Sequence, residues 1–201
     1  MAEKQMIVAI GREYGSGGHV IGEHIAQRLE LPLYDRNLLQ EIAAEKDWDH
    51  TRLEQYDERP RKRLFSRSVG GYSNSPEENI ANMQFDYLRK KAEEGDSFVV
   101  IGRCAEGILK GNSGLISIFI MGDQEAKIAR IMELYQLTQE QAENKIQRHD
   151  YSRKTYHNSY CDMKWGDSRN YDLCINSSRL GLDETTDIIE EYITRRRRHL
   201  G

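Results

Sequence analysis

The sequence predicts an α/β protein built on a parallel sheet, and three observations predict it. Short apolar runs with β-branched residues recur at 6–10, 97–101, 115–121 and 171–175. Such unbroken runs suit strands covered on both faces. Between them lie stretches whose apolar residues repeat at helical spacing, and strands alternating with helices call for parallel pairing through right-handed crossovers. The third observation is the one dense glycine cluster, Gly15-Ser16-Gly17-Gly18, set between the first strand and the first helix.

That junction is the first candidate site. After the strand at 6–10, apolar residues fall at Val20, Ile21, Ile25, Ala26 and Leu29, which is helical spacing. A strand, a glycine-rich turn and a helix start leave several N–H groups pointing one way at the positive end of a helix dipole, a phosphate-binding arrangement. Against the pattern G-x-x-x-x-G-K-[ST] the fit is partial. With the last glycine on Gly17, Arg12 stands where the first glycine belongs, Gly18 where the lysine belongs and His19 where the hydroxyl belongs. The competing reading is a tight strand-to-helix turn with no ligand.

Along the chain, Leu31 to Arg36 is long enough only for an edge strand or turn, and 37–44 resumes helical spacing. Asp35 and Arg36 therefore sit at a strand-to-helix junction, where open α/β sheets bind ligands, although Asp35 could equally cap the helix. Residues 47–79 are polar, hold two of the three prolines and gather Arg59, Arg61, Lys62, Arg63 and Arg67. They read as a mobile arm, either a solvated face or a cover over an anionic substrate. A helix is expected over 76–92, a strand over 97–101 running into Gly102-Arg103, a short helix over 104–109 and a strand over 115–121. A polar helix follows over 123–135. Thr138 opens another with Gln141 as its capping-box partner, and a helix over 183–192 closes the chain.

Composition narrows the function. At 201 residues the chain fits one domain with an appended piece. A net charge of -4 and a pI near 5.9 give no global basic field for nucleic acid or an anionic membrane. The arginines at 195–198 suit a helix C-terminus better than a nucleic-acid contact. Mean hydropathy of -0.77 points to a modest core plus a long polar segment, as at 47–79. The cysteines, Cys104, Cys161 and Cys174, have no metal-ligand spacing and are expected as reduced thiols. Without an apolar leader or a membrane-length run, a cytoplasmic protein is expected.

Two further groups could complete a phosphate site. Arg148, Arg153 and Lys154, with Asp150 between them, crowd one or two helical turns, and Tyr156, His157 and Tyr160 follow. Arginine forks neutralise phosphoryl oxygens, which the altered glycine loop does less well by itself. Arg103, directly after a buried strand, would emerge beside the glycine loop if the two strands are neighbours. Its alternative is an ion pair with an acid such as Glu106.

Taken together, the chain resembles the cytidylate kinase-like branch of the P-loop nucleoside monophosphate kinases. The matching pieces are Ile10 to Gly18, Tyr34-Asp35, Val100 to Ala105, the segment from Arg148 to Arg153, Lys164-Trp165-Gly166 and Tyr171 to Ser178. The resemblance implies a three-layer parallel-sheet P-loop core as a single domain over 1–201, with an acceptor arm at 47–79 and a small lid at 147–167. It implies transfer of the terminal phosphate of ATP, with Mg²⁺, to CMP or dCMP. Carried over by position, Gly15, Ser16, Gly17, Gly18, His19 and Val20 would hold the donor phosphates. Asp35, Arg36, Arg103 and Asp150 would meet the acceptor, and Arg148 and Arg153 would cover the transferring group, with Arg12 the candidate for the missing cation. The metal ligands stay unassigned. True cytidylate kinases have the loop lysine and hydroxyl, and an aspartate where Cys104 stands. Turnover and cytosine recognition therefore stay open, and a non-catalytic nucleotide sensor or a kinase of another small acceptor are the alternatives.

Overall fold

The computed structural model describes residues 4–35, 37–46, 68–69, 72–73 and 75–199. The described elements are β1 (Ile7–Arg12), α1 (Gly18–Arg28), β2 (Leu33–Tyr34), α2 (Leu38–Lys46), β3 (Ser68–Val69), β4 (Tyr72–Ser73), α3 (Pro76–Glu93), β5 (Phe98–Ile101), α4 (Ala105–Ile108), β6 (Leu115–Met121), α5 (Gln124–Tyr135), α6 (Gln139–Tyr160), β7 (Leu173–Asn176) and α7 (Gly181–Arg197). Five of these strands form one parallel sheet in the order β2-β5-β1-β6-β7, with β1 at its centre.

Period-two alternation sends neighbouring residues of β1 into different layers. Val8 and Ile10 join Ile21 and Ile25 of α1 and Ile189 and Ile193 of α7. Ile7 and Ala9 face Leu38 and Ile42 of α2 and Tyr87 and Leu88 of α3. The result is a three-layer sandwich, and the unbroken apolar runs in the sequence follow from burial on both faces.

A third, smaller cluster lies off the sheet. Ile131 of α5 and Ala142 and Ile146 of α6 enclose Tyr14 of the glycine loop. The helix α6 opens with the expected capping box, Thr138 accepting from the Gln141 N–H while the Gln141 side chain accepts from the Thr138 N–H. It runs unbroken for 22 residues, so the segment read as a lid is its C-terminal half plus the turn that follows. Within 47–79 the described part is the antiparallel pair β3–β4 and the start of α3. The rest of that expected arm, and Arg36, lie outside the described residues.

Two boundaries differ from the sequence reading. The closing helix starts earlier, at Gly181, and continues through Arg195, Arg196 and Arg197, since arginine favours helix and its charge complements the C-terminal dipole. The last strand begins at Leu173 rather than 171, after a 3-10 turn at Ser168–Asn170 that the Tyr171 N–H closes onto Ser168 O.

Candidate active site

The β1 ladder carries the chain to the carboxyl edge of the sheet, where the Glu13 N–H still reaches Ile120 O at 3.0 Å. The loop then turns through two left-handed glycines, Gly15 at φ +84° and Gly17 at φ +76°, a conformation other residues resist. Packing reinforces the requirement, since a Cβ on Gly17 would lie 2.3 Å from Leu182 Cδ2.

The loop is held in shape from the α5, α6 and β7 side. Arg130 donates to Gly15 O at 2.7 Å, Ser177 Oγ to Ser16 O at 2.6 Å, and the Tyr14 N–H donates to Asp150 Oδ1 at 2.6 Å. Lys127, buried on α5, sits 3.0 Å from Glu13 Oε2 and 3.7 Å from Asp150 Oδ2. Burial pushes the Asp150 carboxyl above its ordinary pKa, while the Tyr14 N–H and the Lys127 charge pull it back. With the carbonyls of Gly15 and Ser16 occupied, the turn presents the N–H groups of the first turn of α1 beyond Gly18, whose own N–H donates to Ser16 Oγ at 3.3 Å; the N-cap, Gly17, supplies no side-chain hydrogen bond.

On the other side of the loop stands a group of arginines. Arg12 ends β1, and Arg103 follows β5, the strand paired with β1. The Arg103 residue is only 2% exposed and sits at φ +58°. Its Nε and Nη2 donate to the Asp35 carbonyl at 3.3 and 3.0 Å. Arg153 crosses from α6, donating through Nη1 to Arg12 O at 3.3 Å, with its guanidinium 5.4 Å from the centre of the Tyr14 ring. That ring stacks on His149 at 4.1 Å. Arg12, Arg103 and Arg153 line one cavity of about 30 Å³, with Gly11 and Gly102 forming its backbone wall.

The same cavity is lined by a polar group that the sequence reading missed. Glu106 and His157 are 5% and 4% exposed. His157 Nε2 meets Glu106 Oε1 at 2.9 Å, and Tyr171 donates its hydroxyl to the same oxygen at 2.9 Å. His157 Nδ1 faces Asn158 Oδ1 at 3.2 Å, an oxygen that also accepts the Trp165 N–H. Both ring nitrogens therefore face acceptors, the surroundings of an imidazolium. Burial draws the His157 pKa down, but the hydrogen bond and charge of Glu106 more than offset it, and the net shift is upward. Burial, then the Glu106 charge, raise the Tyr171 phenol, which stays a donor.

The other residues singled out in the sequence divide into near and far. Ser16 is fully buried, and its hydroxyl is engaged within the loop, donating to Glu13 O and accepting from the Gly18 N–H. His19 and Val20 are exposed on the first turn of α1, with His19 Nδ1 3.6 Å from Asp35 Oδ2. Asp35 Oδ1 also accepts the Asn37 N–H at 3.0 Å, a turn just ahead of α2. Arg148 is exposed on α6, one residue before the pair, His149 and Asp150, that reaches the glycine loop. Among the described residues, no three His, Cys, Asp or Glu side chains cluster to hold a metal, and no helix is long and apolar enough to cross a membrane.

Comparison with known proteins agrees with this architecture. No curated protein matches the chain. Among solved structures, an uncharacterized protein from Eubacterium ventriosum ATCC 27560 is 41% identical, over 94% of this chain and 99% of that one, with a TM-score of 0.74. Shikimate kinase from Bacteroides thetaiotaomicron superposes with a TM-score of 0.53 at 12% identity, over 94% of this chain and 98% of that one. A gluconokinase from Sinorhizobium meliloti 1021 gives 0.52 at 11% identity, over 100% and 97%. These last two share the fold, that of the P-loop kinases. The sequence itself matches the cytidylate kinase-like family over residues 7–179, and the chain belongs to that family.

Proposed function

We propose that the protein transfers the terminal phosphate of ATP to a nucleoside monophosphate, CMP or dCMP in class. Family membership and the P-loop kinase fold support phosphoryl transfer in general. The observation that carries the finer reading is the arginine group. Arg153 reaches from α6 to the carbonyl of Arg12, so that Arg12, Arg103 and Arg153 line one cavity, with Arg12 also packed against the start of α1 at Gly18. A protein that only held ATP would have little use for cations beyond the donor phosphates. Phosphoryl transfer needs them between donor and acceptor.

In this reading the loop from Gly15 to Val20 holds the donor phosphates, and Asp35, Arg36, Arg103 and Asp150 serve the acceptor side. Asp150 does so indirectly, by fixing the Tyr14 backbone. Arg12, Arg148 and Arg153 neutralise the transferring group, Arg148 by swinging in from its exposed position. The glycine turn and the N-terminus of α1 fit a nucleotide phosphate. Magnesium would arrive on the phosphate oxygens and keep much of its water, as that ion commonly does. At about 30 Å³ the cavity accommodates a water and not a nucleotide. The cavity therefore widens to admit the acceptor. The chain acts as one domain with 47–79 as the acceptor arm, in the cytoplasm where its nucleotides are.

The test is Mg-ATP with a panel of nucleoside monophosphates and other small acceptors, scored for ADP release. Arg153→Ala is expected to abolish transfer while ATP still raises the melting temperature. A second reading, a nucleotide sensor that moves no phosphate, is favoured by Gly18 in the lysine position. It is the one left standing if ATP stabilises the protein and no acceptor releases ADP.

A further inference from the structure

We infer that Glu106 is the specificity-determining residue of the acceptor site, accepting a hydrogen bond from an N–H or O–H of a nucleoside monophosphate whose phosphate is held by the arginines. The inference rests on the proposed reading of the cavity as the acceptor site. Three arginines line that cavity, and they define a place for an anion. Among the described residues, Glu106 is the one carboxylate lining it. A ligand that was only an anion would leave that acceptor without a donor. A ligand with an anionic end and a donor edge satisfies both.

The carboxylate is built firmly into the wall. Its residue is 5% exposed, and both donors that fix it, Tyr171 Oη and His157 Nε2, meet the same oxygen, Oε1, at 2.9 Å. A carboxylate offers about four acceptor positions over two oxygens, so acceptor capacity remains for a ligand. The donors come from β7's approach and from α6, far from Glu106 in sequence, and they set the orientation of the group before any ligand arrives. Pre-set orientation is what makes a buried acceptor discriminate, since a ligand lacking the donor leaves it unsatisfied. Trp165 and Tyr156 add aromatic surface to the same cavity, which suits a planar base.

The experiment is calorimetric titration of wild-type protein and Glu106→Gln with three probes. CMP carries an anion and donor groups, sulfate carries an anion alone, and ATP reports the glycine loop. Glu106→Gln keeps the size of the side chain and removes its charge. It should weaken CMP at least tenfold, the size expected for a hydrogen bond to a charged group, with sulfate and ATP within twofold of wild type. If Glu106→Gln does not melt cooperatively, Glu106→Asp, which withdraws the carboxylate by one methylene, should likewise weaken CMP and spare sulfate. Unchanged CMP affinity, equal weakening of CMP and sulfate, or a wild-type protein that does not bind CMP each overturn the inference. ADP release separates the two claims. Transfer by wild type with unchanged CMP binding in the variant removes the role of Glu106 and keeps the kinase. Glu106-dependent CMP binding without ADP release does the reverse.

Discussion

Gly102→Ala tests whether the position of the Arg12 guanidinium matters to the reaction. Gly102 sits at φ +78°, and a Cβ there would lie 2.2 Å from Arg12 Nη1. An ordinary contact is about 3.5 Å, so the guanidinium must withdraw by more than about 1 Å. Two effects follow, and they can be measured separately. The left-handed backbone costs about 1–2 kcal/mol with an L side chain, which for a chain of this size lowers Tm by roughly 2–8 °C. In the proposed reading the displaced guanidinium no longer faces the transferring group, and misplacement of about 1 Å can cost about 100-fold in rate. Gly95→Ala is the control, because Gly95 has φ +87° and a Cβ added to it would meet nothing within 4 Å. It should show a similar loss of stability with unchanged turnover. Melting curves give the first effect and ADP release at saturating substrates the second. A Gly102→Ala protein that turns over within about threefold of wild type would refute the assignment of Arg12 to the reaction.

Two further outcomes follow from the groups near the cavity. The folded pKa of His157 lies above its ordinary 6.5 because Glu106, from α4, more than offsets the effect of burial, with Asn158 and Cys161 also facing the ring. Its stabilisation is therefore complete below pH 6.5 and is lost as pH rises through the folded value. The gap in urea midpoint between wild type and His157→Gln should narrow from pH 6 to pH 9, and a constant gap would contradict the charged pair. The thiols should also separate. A hydrogen bond with Cys104 lowers the Cys161 pKa, helped by His157, whereas burial raises that of Cys174. At pH 7.5 iodoacetamide should modify Cys161 before Cys174, and peptide mass spectrometry would show the reverse order if the Cys104 contact were absent.

What the sequence made legible depended on how local each signal was. The strands β1, β5 and β6 are unbroken apolar runs, so they stood out. Arg103 could be placed at the sheet edge because it directly follows one of them. Lys127 and Arg130 could not be found this way. They lie on an amphipathic helix among other charges, and only packing turns them toward the glycine loop, where Lys127 is 6% exposed. The Glu106 group is harder still, since its partners lie 51 and 65 residues away. One signal was available: His157 follows Arg153 by four residues, so the two share a helix face. Asp150 stands between two arginines in the sequence, but its bond from the Tyr14 N–H is one that no residue pattern announces.

The departure from the usual glycine loop has a steric logic that ties two of its substitutions together. A Cβ on Gly18 would lie 2.6 Å from Arg12 Cβ and 3.2 Å from Arg12 Cγ. The stem of Arg12 thus occupies the space that any side chain at position 18 would need. In the G-x-x-x-x-G-K-[ST] pattern the first position is glycine and the seventh lysine, so the small residue permits the large one. Here the order is exchanged, with arginine at 12 and glycine at 18, and the arginine stem fits only because position 18 carries no side chain. The neighbouring cations on α5 do not fill the gap. Lys127 faces the carboxylates of Glu13 and Asp150, and Arg130 donates to the Gly15 carbonyl, so both fix the curve of the loop. The exchange moves the positive charge from the first turn of α1 to the end of β1, against Gly102 and beside Arg103 and Arg153. In the proposed reading a cation placed there is nearer the acceptor side than a lysine on α1 would be, which is why displacing it through Gly102 should lower turnover more than ATP binding.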